Sequence, residues 1–426
     1  MVTVNFSLEH VMSERLTIER LGARGDGIAI IDGSQVFVAG VLPGEVLIAN
    51  REGTRADITE LLNTSPERVE PFCPYYVPCG GCSAQHMSPS LYSEWKRNIV
   101  ATALRQSGID TDIDPLRDGR GDGRRRMTLH IRQRDGRIEA GFMAARSHTL
   151  TAIDHCPVTV PALGRAPEIV RILASALGKD TRPLSMQATA TESGIDIDIR
   201  GHGPVSEKMR QRLIVLAGEL DLARLALHGD VLIERRAPFV KMGNATVVPP
   251  PGGFLQATQR GEAILAEYVT AFCGNAKRIA DLFAGCGPFA LRLAEKAEVH
   301  AVETDKASIA ALDRAARMTT GLRKVTTEIR DLFRRPLLQP ELEGFDAVVM
   351  DPPRAGAEAQ ARQMAHASVG RIISVSCDAG TFARDAEILI QGGYQIEKVV
   401  PVDQFVYSTH VETVALFTKA KTRKRR

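Results

Sequence analysis

The chain has 426 residues, of which 44% are hydrophobic, and its formal net charge at pH 7 is +3. This length predicts two or three domains with buried cores. No stretch approaches the roughly 20 uninterrupted apolar residues of a membrane span, and the N-terminus lacks the form of a signal peptide, so we expect a cytoplasmic protein without a membrane partner. The small net charge neither requires nor excludes nucleic acid.

Residues 1–64 are predicted to form a small β-barrel. Five short β-like runs separated by glycine turns fit into about fifty residues of this segment, a pattern typical of all-β barrels. The Gly-x-Gly-Ile-Ala turn at Gly25, the Val-Phe-Val-Ala-Gly strand from Val36 and the Leu-Pro-Gly-Glu turn from Leu42 resemble the TRAM domain, an OB-like barrel found on RNA-modifying enzymes. The resemblance implies an RNA-binding barrel, and a purely structural barrel is the alternative.

The cysteines indicate a metal site. Cys73, Cys79 and Cys82 follow the spacing C-x5-C-x2-C, and Cys156 lies far downstream in a His-Cys-Pro sequence. An odd total of seven cysteines in a cytoplasmic chain argues against a disulfide framework. Four thiolates can close a tetrahedral cage, and the uneven spacing favours a [4Fe–4S] cluster over zinc, which more often uses paired C-x2-C motifs.

Residues 65–248 are predicted to form a central α+β domain around this cysteine site. Within it, Ser88 can cap a helix that has Pro89 at its first position, so a helix is predicted over residues 88–107. This helix is amphipathic, and we expect it to pack on the catalytic domain that follows.

Basic residues are unevenly placed along the chain. Arg124, Arg125 and Arg126 are adjacent at the start of a predicted strand, and three neighbouring guanidinium groups are poorly explained by fold stability. Phosphate contact is the favoured interpretation for Arg125 and Arg126, with a solvated strand end as the alternative. The basic run over residues 419–426 is predicted to be a solvated tail.

A triple proline followed by two glycines, from Pro249, predicts a domain boundary. The catalytic domain is therefore assigned to residues 249–426. Phe254 and Gln256 project to the same side if the segment after the boundary is extended, which would set an aromatic ring beside an amide.

The stretch from Arg278 to Ala294 predicts a strand, a glycine loop and a helix. Gly285 and Gly287 allow positive φ and close approach of a ligand to the backbone. The next apolar run ends in Glu303, and a carboxylate at that point suits the two hydroxyls of a ribose. There are too few glycines for a pyrophosphate, which favours S-adenosylmethionine over NAD; a plain βα turn is the alternative.

Three further residues lie where predicted strands begin or end. Asp351 follows an apolar run and opens an Asp-Pro-Pro-Arg sequence, and Cys377 ends the next strand. In open α/β sheets the carboxyl ends of parallel strands face the ligand, so a reactive cysteine is favoured over a buried apolar one. Glu412 precedes the terminal strand and is expected to face the same cleft.

Taken in order, these motifs resemble the RNA (uracil-5-)-methyltransferase family. The matching sequences are Cys-Gly-Gly-Cys with Gln-His, Phe-x-Gln, Asp-Leu-Phe-x-Gly-x-Gly, Asp-Pro-Pro-Arg-x-Gly, Ser-Cys-x-x-x-Thr-x-Ala-Arg-Asp and Asp-x-Phe-x-x-x-x-His-Val-Glu. The resemblance covers nearly the whole chain. The barrel and the four cysteines are similar to the 23S rRNA branch of this family, whereas the tRNA branch is expected to lack both.

The resemblance also implies roles for individual residues. Cys377 matches the nucleophile and Glu412 the base. Contacts to S-adenosylmethionine or uracil are implied for the glycine loop, Gln256, Glu303 and Asp351, so the cofactor-binding set is Gln256, Phe283, Gly285, Glu303 and Asp351. Departures from the family pattern occur at Thr258, Pro288, Asp378, Ala379 and Val406.

The chemistry accounts for these residue types. Uracil C5 is a poor nucleophile, so a thiolate first adds to C6, and a base later removes the C5 proton. The environment of Cys377 is expected to favour the thiolate, because an unperturbed thiol has a pKa near ~8.5. The target uridine must leave its stack, and Phe254 is a plausible surface on which it stacks.

The predicted fold is α/β: a Rossmann-like methyltransferase domain with an N-terminal OB-like β-barrel (TRAM) and a central α+β iron–sulfur domain. The predicted activity is methylation of uridine C5 in 23S rRNA with S-adenosylmethionine, by a protein that carries a [4Fe–4S] cluster and acts as a monomer. A tRNA uridine methyltransferase and a catalytically idle RNA-binding or ribosome-assembly factor are the alternatives.

Overall fold

The computed structural model describes residues 12–134, 136–178 and 183–419. Residues 1–11 of the predicted barrel segment and residues 420–426 of the predicted basic tail lie outside the described residues. Among the helices of the described ranges, none is both long enough and apolar enough to cross a membrane.

The N-terminal part of the chain folds into a six-stranded sheet. Its strands are β1 (Met12–Thr17), β2 (Arg20–Leu21), β3 (Gly27–Ile31), β4 (Ser34–Val38), β5 (Val46–Glu52) and β6 (Arg55–Asn63). They lie in the order β1-β5-β6-β4-β3-β2, and every neighbouring pair is antiparallel except β4 with β6. Alternate apolar side chains such as Leu16, Val36 and Leu47 are buried in a core of their own.

A seven-stranded sheet with two helices forms the central part. Before it, the chain forms α1 (Pro89–Gln106) and β7 (Arg117–Asp118). The central elements are β8 (Arg126–Arg134), β9 (Arg137–Met143), β10 (Leu150–Ala152), α2 (Ala166–Leu177), β11 (Leu184–Thr191), β12 (Gly194–Arg200), α3 (Glu207–Glu219), β13 (Arg224–Leu227) and β14 (Asp230–Glu234). The strand order is β10-β9-β8-β11-β12-β13-β14, and α2 and α3 share one apolar core with the sheet.

A hairpin and an eight-stranded sheet complete the chain. The elements are β15 (Val240–Met242), β16 (Ala245–Val247), α4 (Gln259–Cys273), β17 (Arg278–Leu282), α5 (Ala290–Leu293), β18 (Glu298–Glu303), α6 (Lys306–Met318), β19 (Val325–Ile329), α7 (Gln339–Leu342), β20 (Ala347–Met350), α8 (Glu358–His366), β21 (Arg371–Ser376), α9 (Ala379–Gln391), β22 (Gln395–Asp403) and β23 (Glu412–Thr418). The sheet order is β19-β18-β17-β20-β21-β23-β22-β7. Strands β17 to β21 are parallel, and β23 is antiparallel to both of its neighbours.

Three earlier segments join this C-terminal part, across the predicted boundary at residue 249. Helix α1 contributes Val100 and Leu104 to the core under the sheet, and β7 pairs with the edge strand β22. The β15–β16 hairpin packs Val240 and Met242 against Ala315 of α6. An edge strand and exposed apolar helix faces need partners, and segments before residue 249 supply them.

Candidate active site

The sheet order creates a crevice between β17 and β20. The chain leaves β17 toward β18 and β19 on one side and returns to β20 and β21 on the other, so the loops after β17 and β20 diverge at this point. On the other side of β20, β23 runs antiparallel to β21 and pairs Thr413 with Ser376. Continuing that register by one residue sets Glu412 opposite Cys377, although 34 positions separate them along the chain.

A cleft of about 830 Å³ opens at these strand ends. It brings together the predicted catalytic and cofactor-binding residues and two of the three predicted substrate-binding residues, namely Cys377, Glu412, Gln256, Phe283, Gly285, Glu303, Asp351, Phe254 and Arg126. Arg125 does not line it.

The glycine loop after β17 is tied to the end of β18. The backbone N–H of Gly285 donates to Glu303 Oε2 at 2.9 Å, and the other carboxylate oxygen accepts the N–H groups of Thr304 and Asp305 at 2.7 and 2.9 Å. Gly285 has a φ of 52°, and no atom would lie within 4 Å of a Cβ placed on it, so the loop backbone faces open space. Phe283 adopts a φ of 61°, which a non-glycine residue holds only when the surrounding fold enforces it.

The groups around Cys377 are acidic. Burial raises the pKa of the Cys377 thiol to about 12, and the nearby carboxylates of Glu412 and Asp351 add to this shift, while Arg354 opposes it. The expectation that the environment favours the thiolate is therefore wrong for the protein without ligands. Two anionic neighbours and a partly closed cleft disfavour a further negative charge.

The two carboxylates of the cleft are also perturbed. Burial raises the pKa of Glu412 to about 8, with a further increase from Asp351, and burial raises the pKa of Asp351 to about 7. The amide of Gln256 opposes the shift at Asp351, because its Nε2 donates to Asp351 Oδ2 at 2.8 Å. Glu412 is 2% exposed, and its Oε2 has no hydrogen-bond partner among the described residues. This oxygen is thus free to accept a proton from a ligand.

An exposed aromatic ring marks the mouth of the cleft. Phe254 is 56% exposed, and the guanidinium of Arg126 lies 4.9 Å from the centre of its ring. Arg126 Nη1 also donates to the carbonyl of Gly253 at 3.2 Å, which holds the cation beside the ring. A cation next to an exposed aromatic face suits a stacked base and its phosphate.

Arg125 has a different environment from the one predicted. It is buried, it forms an ion pair with Glu262, and its Nε donates to the carbonyl of Gln256 at 3.0 Å. Glu262 also pairs with Arg292 at 2.8 Å. A guanidinium that is enclosed in this way cannot reach an RNA phosphate, so Arg125 holds the Gln256 segment in place instead.

The four predicted metal-ligating cysteines line one cavity of about 270 Å³ in the central part of the protein. These residues are Cys73, Cys79, Cys82 and Cys156. Burial raises the pKa of Cys156 to about 11 and also raises that of Cys82, while Arg124 opposes both shifts. In the described ranges, however, no group of three or more His, Cys, Asp or Glu side chains is arranged to hold a metal ion.

Two residues that line the cleft and one buried residue behind it were not predicted as site residues from the sequence. Arg354 lines the cleft and contacts His410 at 2.9 Å, and Phe333 packs its ring 5.5 Å from that of Phe283. Gln404 is fully buried and donates to Gln256 Oε1 at 2.5 Å. Arg354 and Gln404 lie inside motifs quoted from the sequence, which could have signalled them; Phe333 belongs to no such motif.

The chain is similar to RNA methyltransferases. Residues 252–420 match the family described as tRNA (Uracil-5-)-methyltransferase. An uncharacterized RNA methyltransferase of Brucella suis is 44% identical over 407 residues, 96% of this chain and 98% of that protein. The 23S rRNA (uracil(1939)-C(5))-methyltransferase RlmD of Chromohalobacter salexigens is 34% identical over 435 residues, 97% of this chain and 91% of that protein.

A solved structure has the same overall fold. It is the tRNA (uracil-54, C5)-methyltransferase of Pyrococcus abyssi in complex with S-adenosyl-L-homocysteine, with a TM-score of 0.72 at 21% identity. The match covers 95% of this chain and 100% of that one. From the family match and the relatives of nearly equal length, the chain belongs to the S-adenosylmethionine-dependent RNA (uracil-5-)-methyltransferase family.

Proposed function

We propose that this protein methylates C5 of a uridine in 23S rRNA through a transient bond between Cys377 and C6 of the base. The observation that carries the proposal is the meeting of Cys377, Glu412 and Asp351 in one cleft beside a glycine loop. This set supplies a nucleophile for C6 and carboxylates for the proton on C5, which are the two groups that the reaction requires.

The glycine loop and Glu303 form the side of the cleft that suits the methyl donor. The exposed backbone of Gly285 allows close approach, and the Glu303 carboxylate is held by three backbone N–H groups at a position suited to ribose hydroxyls. Gln256, Phe283 and Asp351 complete the proposed contacts. When bound, S-adenosylmethionine supplies an electrophilic methyl group.

Cys377 begins the reaction as a thiolate that adds to C6. The electron pair of the C5–C6 double bond then makes C5 an enolate carbon, which takes the methyl group. Burial and the carboxylates of Glu412 and Asp351 raise the pKa of this thiol, so its proton must pass to an acceptor before the sulfur adds to C6. Among the side chains that shift the thiol pKa, Arg354 is the one whose charge favours the thiolate.

Glu412 completes the reaction by removing the proton from C5. The electron pair of that C–H bond re-forms the double bond, the bond between Cys377 and C6 breaks, and the thiolate leaves. The unpartnered Oε2 of Glu412 is the acceptor that we assign to this proton. The product is 5-methyluridine.

Phe254 and Arg126 are proposed to hold the RNA at the entrance. A uridine inside a stacked or paired region cannot reach Cys377, so it must turn out of its strand. The exposed ring of Phe254 offers a stacking surface, and the adjacent Arg126 offers a charge for phosphate.

The assignment to 23S rRNA rests on the similarity to RlmD, which extends over 97% of this chain. A tRNA uridine is the second candidate, because the matching family is described by tRNA and the Pyrococcus abyssi enzyme has this fold. The predicted barrel at the N-terminus is proposed to contribute RNA binding in either case.

The cavity of the four cysteines is proposed to hold a [4Fe–4S] cluster. The four cysteines line one cavity of about 270 Å³, and their uneven C-x5-C-x2-C spacing favours a cluster over zinc. Arg124 Nε is a buried donor without a hydrogen-bond partner among the described residues, the Gln85 side chain hydrogen-bonds Cys82, and both residues line this cavity. An amide bonded to a sulfur and a guanidinium suit an anionic group such as a cluster with four thiolates.

The test is methylation of RNA by the purified protein with radiolabelled S-adenosylmethionine. Ribosomal and transfer RNA from cells that lack the gene serve as substrates, and 5-methyluridine is mapped by digestion and mass spectrometry. We expect label at a 23S rRNA uridine. Label confined to tRNA would transfer the assignment to the second candidate, and absence of 5-methyluridine in both would refute the proposed reaction.

A further inference from the structure

Gln404 is a buried amide that the proposed reaction does not use. It follows β22, is 0% exposed, and lies between the Gln256 segment and the strand that begins at Glu412. The fold makes room for it: a Cβ on Gly261 would lie 2.6 Å from Cβ of Gln404, so α4 approaches this side chain as closely as a glycine permits.

The hydrogen bonds of Gln404 determine how two amides are oriented. The backbone N–H of Ala257 can only donate, and it reaches Gln404 Oε1 at 2.8 Å. The Nε2 of Gln404 must therefore point the other way, where it donates to Gln256 Oε1 at 2.5 Å. With its oxygen occupied, Gln256 presents its Nε2 to Asp351 at 2.8 Å. One backbone N–H thus sets the direction of the whole chain of bonds.

This series of hydrogen bonds affects the two carboxylates of the cleft. Asp351 and Glu412 are carboxylates in one cleft, and hydrogen bonds from Gln256 and Gln404 favour their ionised forms. If Gln256 were turned around, its oxygen would face the carboxylate of Asp351, and two acceptors would repel each other. Asp351 would then lose its position.

We propose that Gln404 is a positioning residue of the cleft, which orients the amide of Gln256 toward Asp351 and so fixes that carboxylate beside the bound uridine and methyl donor. The inference rests on the proposed function, since it assigns no separate activity. Gln404 acts on Asp351 through Gln256, and it also hydrogen-bonds Glu412.

A double-mutant cycle tests this dependence. Gln404→Met and Gln256→Met keep the side-chain length and remove the hydrogen bonds, and the single-turnover rate of methyl transfer is measured for each variant and for the pair. We expect each single variant to lose on the order of 10²-fold, because misplacement by about 1 Å has this effect, and the pair to lose far less than the product of the two single losses. Losses that multiply in the pair would overturn the proposal.

Gln360→Met is the matched control. Gln360 is also a fully buried amide of the C-terminal part, but it bonds the backbone N–H and carbonyl of Leu337, at 2.8 and 3.1 Å, away from the cleft. We expect it to lower the melting temperature as much as Gln404→Met does without affecting the rate. If Gln404→Met does not fold, Gln404→Glu enters the cycle, because it keeps the acceptor for Ala257. An inactive wild-type protein would refute the reaction itself, whereas multiplying losses in an active protein refute only the role of Gln404.

Discussion

Cysteine lines two cavities of this molecule, and the two differ in the charges that face the sulfur. In the cavity of Cys73, Cys79, Cys82 and Cys156, Arg124 opposes the larger effect of burial, which raises the pKa of Cys82 and Cys156. In the cleft, Cys377 is faced by the carboxylates of Glu412 and Asp351, which add to the effect of burial, with Arg354 as the opposing charge. A cation beside the first cysteines suits thiolate ligands of a metal group. The carboxylates beside Cys377 instead help to keep its thiol protonated.

Burial alone does not distinguish a ligand cysteine from a nucleophile. Burial raises the thiol pKa at both sites, at Cys156 to about 11 and at Cys377 to about 12. The charges next to the sulfur make the difference, and a carboxylate pair beside one cysteine accompanies proton-transfer chemistry.

The largest effect is expected from replacing Cys377, the proposed nucleophile. Cys377→Ala should lower methyl transfer on the order of 10⁴-fold or more, because the variant lacks the sulfur that is proposed to add to C6, while binding of S-adenosylmethionine measured by calorimetry stays unchanged. Cys273→Ala is the control, since Cys273 is a buried cysteine of the same part of the chain outside the cleft. Transfer retained by Cys377→Ala would contradict the assigned role.

Removing the base should stop the reaction after methylation. Glu412→Gln is expected to lower turnover about 10²- to 10⁴-fold, and a covalent complex between protein and methylated RNA should accumulate on denaturing gels, because the C5 proton is no longer removed. Glu387→Gln, at the surface of α9, is the control. Loss of turnover without a covalent complex would move Glu412 to an earlier step.

The same residue predicts a pH dependence. Burial raises the pKa of Glu412 to about 8, so below that pH the carboxyl is protonated and cannot accept a proton. The breakdown rate of the covalent complex in the wild-type protein should therefore rise up to tenfold per pH unit toward pH 8 and then level off. A rate that is independent of pH between 6 and 9 would contradict the assignment.

In the cavity of Cys73, Cys79, Cys82 and Cys156, replacing a cysteine should remove bound metal and not a group that takes part in methyl transfer. Cys82→Ala is expected to lower bound iron at least about tenfold in protein purified without oxygen, and to lower the melting temperature, whereas Cys273→Ala leaves iron unchanged. Iron is measured by colorimetry and the cluster by its visible absorbance. Stoichiometric zinc in a colourless wild-type protein would contradict the cluster.

The smallest effect is expected at the mouth of the cleft. Phe254→Ala should weaken RNA binding about tenfold, since stacking of one base is worth ~1–3 kcal/mol, with little change in affinity for S-adenosylmethionine. Equal RNA affinities of wild type and Phe254→Ala would show that this ring is not part of the proposed interface.

Arg125→Ala should instead lower the melting temperature, because it leaves Glu262 buried without one of its two cations.

Local sequence signals predicted the elements that carry the site. The helix predicted over residues 88–107 is α1, and Ser88 caps it as expected, because capping is a local property. The glycine loop, Cys377 and Glu412 also lie at strand ends as predicted. The environment of Arg125 was not predictable, because Glu262 reaches it from a helix more than a hundred residues away. The role of Gln404 was not predictable for the same reason, since the hydrogen-bond partners of an amide side chain depend on tertiary contacts.

The segment before Glu412 is held in place by residues from the N-terminal part of the chain. Lys96 on α1 donates to Asp403 and to the carbonyls of Phe405 and His410, and the N–H of Ser83 donates to the carbonyl of Tyr407. These partners lie more than 300 residues apart in sequence, 307 in the case of Lys96 and Asp403. Contacts between residues so far apart in sequence form late in folding, because forming them requires closing a very large loop at a cost in chain entropy. During synthesis, the ribosome must therefore release nearly the whole chain before the base is anchored, and a polypeptide truncated before residue 403 can bury its first cores yet never assemble a working centre.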